Sequence, residues 1–208
     1  MGVFEIDGFY RKYIGMDRLP ETLSEWRPLP EQHLAACTNG KVFHDPLGEF
    51  SQWRNKLLAF YPEDIRLKKI ASRCMTVAQS GQYNFPRLVK RSEWVAAQQA
   101  LSSFMAHSIS LVFLLNKQYV PFYKWSHRAL KTIPMTGDML HGKMEKLVRE
   151  NDYAIKIDIM EQICAFIIDQ LNQAGLSNSS SSFLLDHGPR VKERIKDRPL
   201  KAIDVWLE

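Results

Sequence analysis

The stretch from Phe104 to Leu115 decides most about how this chain can fold. Trp94, Ala97, Leu101, Phe104, Met105, Ser108, Val112 and Leu115 recur at helical spacing and mark one face of a helix running from Ser92 to about Lys117. From Ile109 to Leu115 that helix is apolar nearly all round. A helix without a polar face has to be enclosed on every side, so this one belongs at the centre of other elements. The apolar run contains His107 and is shorter than the roughly 20 residues a bilayer span needs. The expectation is a buried helix, with no membrane as partner.

Enclosing such a helix takes a chain of some size, and 208 residues at 45% hydrophobic and 25% charged supply it. These values predict one globular domain with a core that needs no metal or disulfide staples. Cys37, Cys74 and Cys164 are odd in number, far apart and form no Cys-x-x-Cys. That argues against a zinc knuckle or a secreted disulfide framework and predicts a reducing, cytoplasmic setting. The N-terminus, MGVFEIDGFYRKYIG, carries charges inside its apolar stretch and does not read as a signal sequence.

Helical periodicity and proline punctuation divide the chain. Residues 1–45 read as a strap: an amphipathic piece from Phe4 to Ile14, the proline-rich LPETLSEWRPLPEQ, a short helix from Pro30 to Cys37 ended by Asn39-Gly40, and a brief extended segment from Lys41 to Asp45. Residues 46–174 form the helical core. Phe50, Trp53, Leu57 and Phe60 make a helix that Pro62 stops. Pro62-Glu63-Asp64 opens the next, with a proline and acids in its first turn and a stripe of Ile65, Ile70, Cys74, Val77 and Ala78. Gly81 is read as a turn between helices. Further helices are expected from Tyr123 to Thr132, from Gly137 to Arg149 and from Tyr153 to Ala174. Residues 175–208 hold a mobile serine-rich loop, a helix from about Phe183 to Lys196, and the tail LKAIDVWLE, whose alternation predicts a strand. The predicted class is mainly α: a helical bundle with short peripheral extended segments.

The common chemical signatures are missing from the sequence: GxGxxG, GxxxxGK[ST], HExxH, GxSxG and His-x-Glu with Cys-x-x-Cys. Asp138 and His141 stand three apart on a helix start but have no third ligand nearby. Asp158 and Glu161 share a helix face, more in the manner of a solvated face than of a catalytic pair. A hydrolase built on Asp158, Glu161 or His141 ranks last, and no metal-binding residue is assigned.

Charge is more informative. Between Pro86 and Lys131 stand Arg87, Lys90, Arg91, Lys117, Lys124, Arg128 and Lys131 against the single acid Glu93, a net of +6 where the whole chain carries +5. Clustered cations in a concavity focus a field on phosphates; the alternative is a solvated basic face. Nucleic acid ranks behind a small anion, because there is no basic run, arm or RNA-binding motif. Within this region NKQYVPFYKW, residues 116–125, ends one helix and starts another across Pro121. Lys124, held between Tyr123 and Trp125, suits a triphosphate as a point charge, with the Tyr119 and Tyr123 hydroxyls as donors to phosphate or sugar. The alternative is a packed corner from which Lys124 snorkels outward. A second patch runs from Gln79 to Asn84 and on to Arg87, Lys90 and Arg91. Arg87 and Arg91 fall four apart, as an arginine fork for an anion or as bridges to acids of a neighbouring helix.

Three segments, TNGKVFHDPLGEFSQWRNKLLAFYPEDI, AQSGQYNFPRLVKR and FLLNKQYVPFYKW, together resemble a bacterial family catalogued as a domain of unknown function, DUF4037. The best motifs are Thr38-x-Gly-x-Val-Phe-x-Asp45, Tyr61-Pro62-Glu63-Asp64 and Tyr119-x-Pro-x-Tyr-Lys-Trp125. The likeness runs from about Leu29 to Pro134 and more loosely to Trp206. In that family the region usually follows a small nucleotidyltransferase domain, and the helical part is similar in kind to the C-terminal bundles of kanamycin- and streptomycin-type nucleotidyltransferases. The resemblance implies a domain that closes over a nucleoside triphosphate and an unknown acceptor. Lys124 and Tyr123, then Arg87 and Arg91, would meet the phosphates; Tyr119, Trp125, Asn116 and Tyr83 would meet the acceptor. The Gly-Ser motif and the metal-binding Asp-x-Asp or Asp-x-Glu of such enzymes have no counterpart on a plausible strand here. Magnesium-nucleotide chemistry is therefore expected only with a catalytic domain in cis or in trans, with no cofactor in this chain. The competing expectation is a protein-interaction module with an exposed apolar patch near the N-terminal strap.

Overall fold

The computed structural model describes residues 2–208, and among them no residue is in a β-strand. The chain folds as α1 (Ile6–Ile14), α2 (Leu23–Trp26), α3 (Glu31–Thr38), α4 (Glu49–Leu58), α5 (Glu63–Val77), a π-helical segment (Ala78–Asn84) and α6 (Phe85–Lys90). It continues as α7 (Trp94–Leu115), α8 (Tyr123–Ala129), α9 (Thr136–Arg149), α10 (Tyr153–Gln173), α11 (His187–Glu193) and α12 (Arg198–Ala202). A mainly α bundle is what the periodicity predicts.

α7 lies at the centre, packed against α5, with α11 also on α5 and α9 paired with α10. Ile109–Leu114 is buried on all sides, as an all-round apolar helix requires. By length and composition α7 as a whole is long and apolar enough to cross a membrane, although its apolar run alone is not; half of its apolar window is enclosed by the bundle. The buried side chains from Tyr10 to Leu200 join in one cluster.

α5 is the surprise. Its predicted stripe is buried, but so are Arg66, Lys68, Lys69 and Ser72, so α5 is enclosed almost all round despite its cations. Arg66 makes a two-pronged pair with Glu63 at 2.7 and 3.0 Å and donates to the Leu114 carbonyl at 3.3 Å.

Several local expectations are corrected. Gly81 makes no turn: α5 runs through the π segment into α6 without a break, and Gly81 is needed because a Cβ there would stand 2.3 Å from the Phe104 ring. The tail is no strand. Asp197 accepts a hydrogen bond from the Leu200 amide at 2.8 Å, Pro199 sits in the first turn, and α12 forms instead. Lys41–Asp45 joins no sheet; Asp45 accepts from the Ser51 amide at 2.7 Å and holds the start of α4. The serine-rich loop is tied down. Buried His187 reaches Ser177 Oγ at 2.8 Å and the Ser181 carbonyl at 2.9 Å, and Gln82 of the π segment bonds both Ser182 and Leu184.

Candidate functional site

The residues singled out in the sequence fall at two places. At one, Arg87 stacks its guanidinium 3.6 Å from the centre of the Tyr83 ring, with Arg91 at the end of α6, which leads into the N-terminal end of α7. At the other, beyond the C-terminal end of α7, α8 carries Tyr123, Lys124 and Trp125. Lys124 and Arg128 both approach the Trp125 ring, at 5.8 and 5.5 Å from its centre. Lys124 is exposed and lines none of the cavities described here, so it is no cleft floor. Tyr123 stands between an apolar groove of about 430 Å³, shared with Met105, Ile109 and Met144, and a second cavity of about 270 Å³.

Two residues expected at a ligand are occupied by the fold. The Tyr119 ring stacks on Phe60 at 4.6 Å and meets Tyr61 edge-on at 5.2 Å, and its buried hydroxyl donates to the Leu57 carbonyl at 2.8 Å. Burial pushes this phenol well above its usual pKa, as it does that of Tyr61. Asn116 caps α7, donating to the Val112 carbonyl at 2.8 Å and to Thr136 Oγ1 at 3.3 Å. Both are corner-forming groups: Asn116 adds a side-chain bond to the last turn of α7, and the two Tyr-Pro corners pack on each other through Tyr61 and Tyr119.

The expected bridges from Arg87 and Arg91 to neighbouring acids are not made. Among the described residues none of Arg87, Lys90, Arg91, Lys117, Lys124, Arg128 and Lys131 forms an ion pair, whereas Arg11, Arg18, Arg66, Lys69, Arg73 and Arg190 do. The basic region is uncompensated. Glu161 instead accepts from Gln82 Nε2 at 2.7 Å, Asp158 accepts from Gln162 at 2.7 Å, and His141 stacks on His127 with ring centres 4.0 Å apart. Among the described residues no three His, Cys, Asp or Glu come together as metal ligands.

Sequence reasoning missed a polar cluster at the heart of the bundle. Arg73 of α5 donates from Nε to Ser110 Oγ at 2.9 Å and from Nη2 to Glu31 at 3.2 Å, and Ser110 donates on to Glu31 at 2.9 Å. These three groups, with Gln32 and His107, line the 270 Å³ cavity beneath Tyr123 and Phe122. Burial, helped by the Arg73 charge, lowers His107 from 6.5 to about 4, so the imidazole is neutral at physiological pH. On its other side Arg73 pairs with Glu208, which also meets Lys69 at 3.3 Å, around a further cavity of about 330 Å³. One available signal was the density of cations on α5, Arg66, Lys68, Lys69 and Arg73, beside its apolar stripe.

Residues 26–126 match the model of a family described as Domain of unknown function (DUF4037), just under half of the chain. Over that stretch the chain is similar to the DUF4037 family. No curated protein and no solved structure matches the chain. The DUF4037 segment contains the whole Glu31–Arg73–Ser110 cluster, His107, the Tyr83–Arg87 stack and Tyr119 to Trp125. Arg128, the groove wall on α9 and Glu208 lie outside it.

Proposed function

We propose that the chain is the nucleotide- and substrate-binding helical domain of a nucleotidyltransferase-like protein. It presents cations to the phosphates of a nucleoside triphosphate and an aromatic-walled groove to an acceptor. The observation that carries this reading is the arrangement on α8: Lys124 and Arg128 flank one indole, neither has a carboxylate partner among the described residues, and Tyr123 beside them walls the largest groove described here. Unpaired cations whose rotamers are limited by an aromatic face are arranged to receive an anion rather than to stabilise the fold. In this reading the chain alone transfers nothing. The two-metal chemistry belongs to a catalytic domain in cis or in trans, whose carboxylates hold the magnesium. The setting is bacterial and cytoplasmic, in keeping with three unpaired, buried cysteines.

Calorimetric titration of magnesium-ATP and other nucleoside triphosphates tests it. Lys124→Ala should weaken affinity by ~1–3 kcal/mol, the usual value of a hydrogen bond to a charged group, and Arg128→Ala by a similar amount. Binding that neither substitution alters would remove the triphosphate from α8.

A second reading, an interaction module, is favoured by Phe43 and Leu47, which are 89% and 82% exposed in the 39–48 connection beside α4. Phe43→Ser with Leu47→Ser should abolish a protein complex while leaving nucleotide binding intact, if that surface docks a partner.

A further inference from the structure

The chain from Ile203 to Glu208 has no regular structure, yet it is fastened to the basic face of α5. Lys68, which is fully buried, donates to the Ile203 carbonyl at 3.0 Å and to that of Asp204. Ser72 donates to the Trp206 carbonyl at 2.9 Å, and Arg27 Nε to the main-chain oxygen of Glu208 at 2.6 Å. At the end of this run the Glu208 carboxylate sits between Lys69 Nζ, at 3.3 Å, and Arg73 Nη1. Apart from the Ile203 amide, which donates to the Leu200 carbonyl of α12 at 3.2 Å, the described polar anchors of this segment to the rest of the chain come from α5 or from Arg27.

The charge balance around the adjoining 330 Å³ cavity explains why Glu208 is there. Its walls bring three cations, Arg27, Lys69 and Arg73, against two acids, Glu31 and Glu208. Glu31 is buried and hydrogen-bonded to Arg73 and Ser110; its charge favours the Lys69 ammonium, but the two make no ion pair among the described residues. Lys69 is only 4% exposed, and burial pushes its ammonium down to about 8. Leaving a buried cation without a counter-charge is strongly unfavourable. Among the described residues Glu208 is the acid within ion-pair distance of Lys69, and it reaches the point between Lys69 and Arg73 from a segment without secondary structure, with more than a quarter of its side chain still open to solvent.

We propose that Lys69, Arg73 and Arg27 form an oxyanion-binding pocket for a small carboxylate or phosphate, and that Glu208 is its internal, displaceable occupant. The Lys69 ammonium supplies a point charge, held over the Tyr61 ring at 5.2 Å, and Arg73 supplies the planar fork that suits two-oxygen recognition. The cavity beside them gives the rest of such a ligand room. The pocket shares Glu31, Gln32 and Arg73 with the cavity beneath Tyr123 but none of Lys124, Trp125 or Arg128, so it stands whether or not the α8 cations bind a nucleotide.

The test is titration of inorganic phosphate, and separately of glutarate, into the full chain and into Glu208→Gln. Emptying the pocket of its resident charge should tighten at least one of the two by roughly tenfold or more, and which of them tightens names the ligand class. Adding Lys69→Gln to Glu208→Gln removes both members of the pair together and should abolish the gain. Thermal melts give a second readout, with the ligand raising the melting temperature of Glu208→Gln more than that of the wild type. Equal affinity in wild type and Glu208→Gln, or a gain that survives Lys69→Gln, overturns the proposal.

Discussion

Arg73 and Glu31, 42 residues apart in sequence, meet at 3.2 Å, and Ser110 on α7 closes a triangle with both. One guanidinium thus ties α3, part of the N-terminal strap, to the two central helices. Glu31→Ala removes a buried carboxylate to which two groups donate, while Arg73 keeps Glu208 as a counter-charge. It should therefore destabilise the chain by about 3 kcal/mol in urea denaturation, the lower end for breaking a buried pair. Ser110→Ala should cost less, about 1–3 kcal/mol, since it strands a donor and an acceptor but no charge.

Acid stability should depend on His107. The folded imidazole stays neutral down to about pH 4, while in the unfolded chain it takes up a proton near 6.5. Between those values the unfolded state binds more protons, so stability is whole above pH 6.5 and falls as the pH drops toward 4. A series of denaturation curves across this window should show a shallower loss for His107→Asn than for the wild type. Parallel slopes would mean that another group carries the acid transition.

Gly81 should tolerate no side chain. A Cβ would stand 2.3 Å from Cδ2 of Phe104, a ring with no exposed surface. Gly81→Ala should cost about 1–3 kcal/mol, the range for overpacking a core, and Phe104→Leu in the same chain should recover part of it. An Ala variant as stable as the wild type would show that the π segment can move away from α7.

Tyr119 should act on the fold and not on a ligand. Tyr119→Phe loses the hydrogen bond to Leu57 and should cost about 0.5–1.5 kcal/mol, with any triphosphate affinity unchanged. Lys124→Ala should do the opposite, weakening affinity with little change in the melting midpoint, because Lys124 is exposed and makes no ion pair among the described residues.

Much of the fold was legible because helix boundaries are local. Pro62 and Glu63 start α5, Pro121 separates α7 from α8, and Gly175 takes a left-handed conformation just beyond α10. Along α10 Ile159, Ile163, Ile167 and Leu171 recur at four-residue spacing and are buried, whereas Ile155 in its first turn is exposed and Lys156 is buried. The two Tyr-Pro corners were legible too, since Tyr61-Pro and Tyr119-x-Pro are short and local. The candidate site was legible only in part. Aromatic and basic residues were visible in 116–125, but sequence spacing does not say which hydroxyl faces solvent and which is spent on a carbonyl. Tyr119 and Tyr123, four apart, have opposite fates for that reason.

By itself the sequence determined a mainly helical bundle with α7 at its centre, because a helix without a polar face has one stable environment. Only the tertiary structure decided what becomes of charge. Arg73 is a partner of Glu31 rather than a surface cation because α3 and α7 bring Glu31 and Ser110 to it, and Lys68 and Lys69 can be buried because residues 203–208, more than 130 positions later, bring carbonyls and a carboxylate. The basic stretch from Arg87 to Lys131 shows the converse, since among the described residues none of its cations has a carboxylate within ion-pair distance. Burying a charge depends on the nearest counter-charge in space, and that distance is set by packing between elements far apart in the chain.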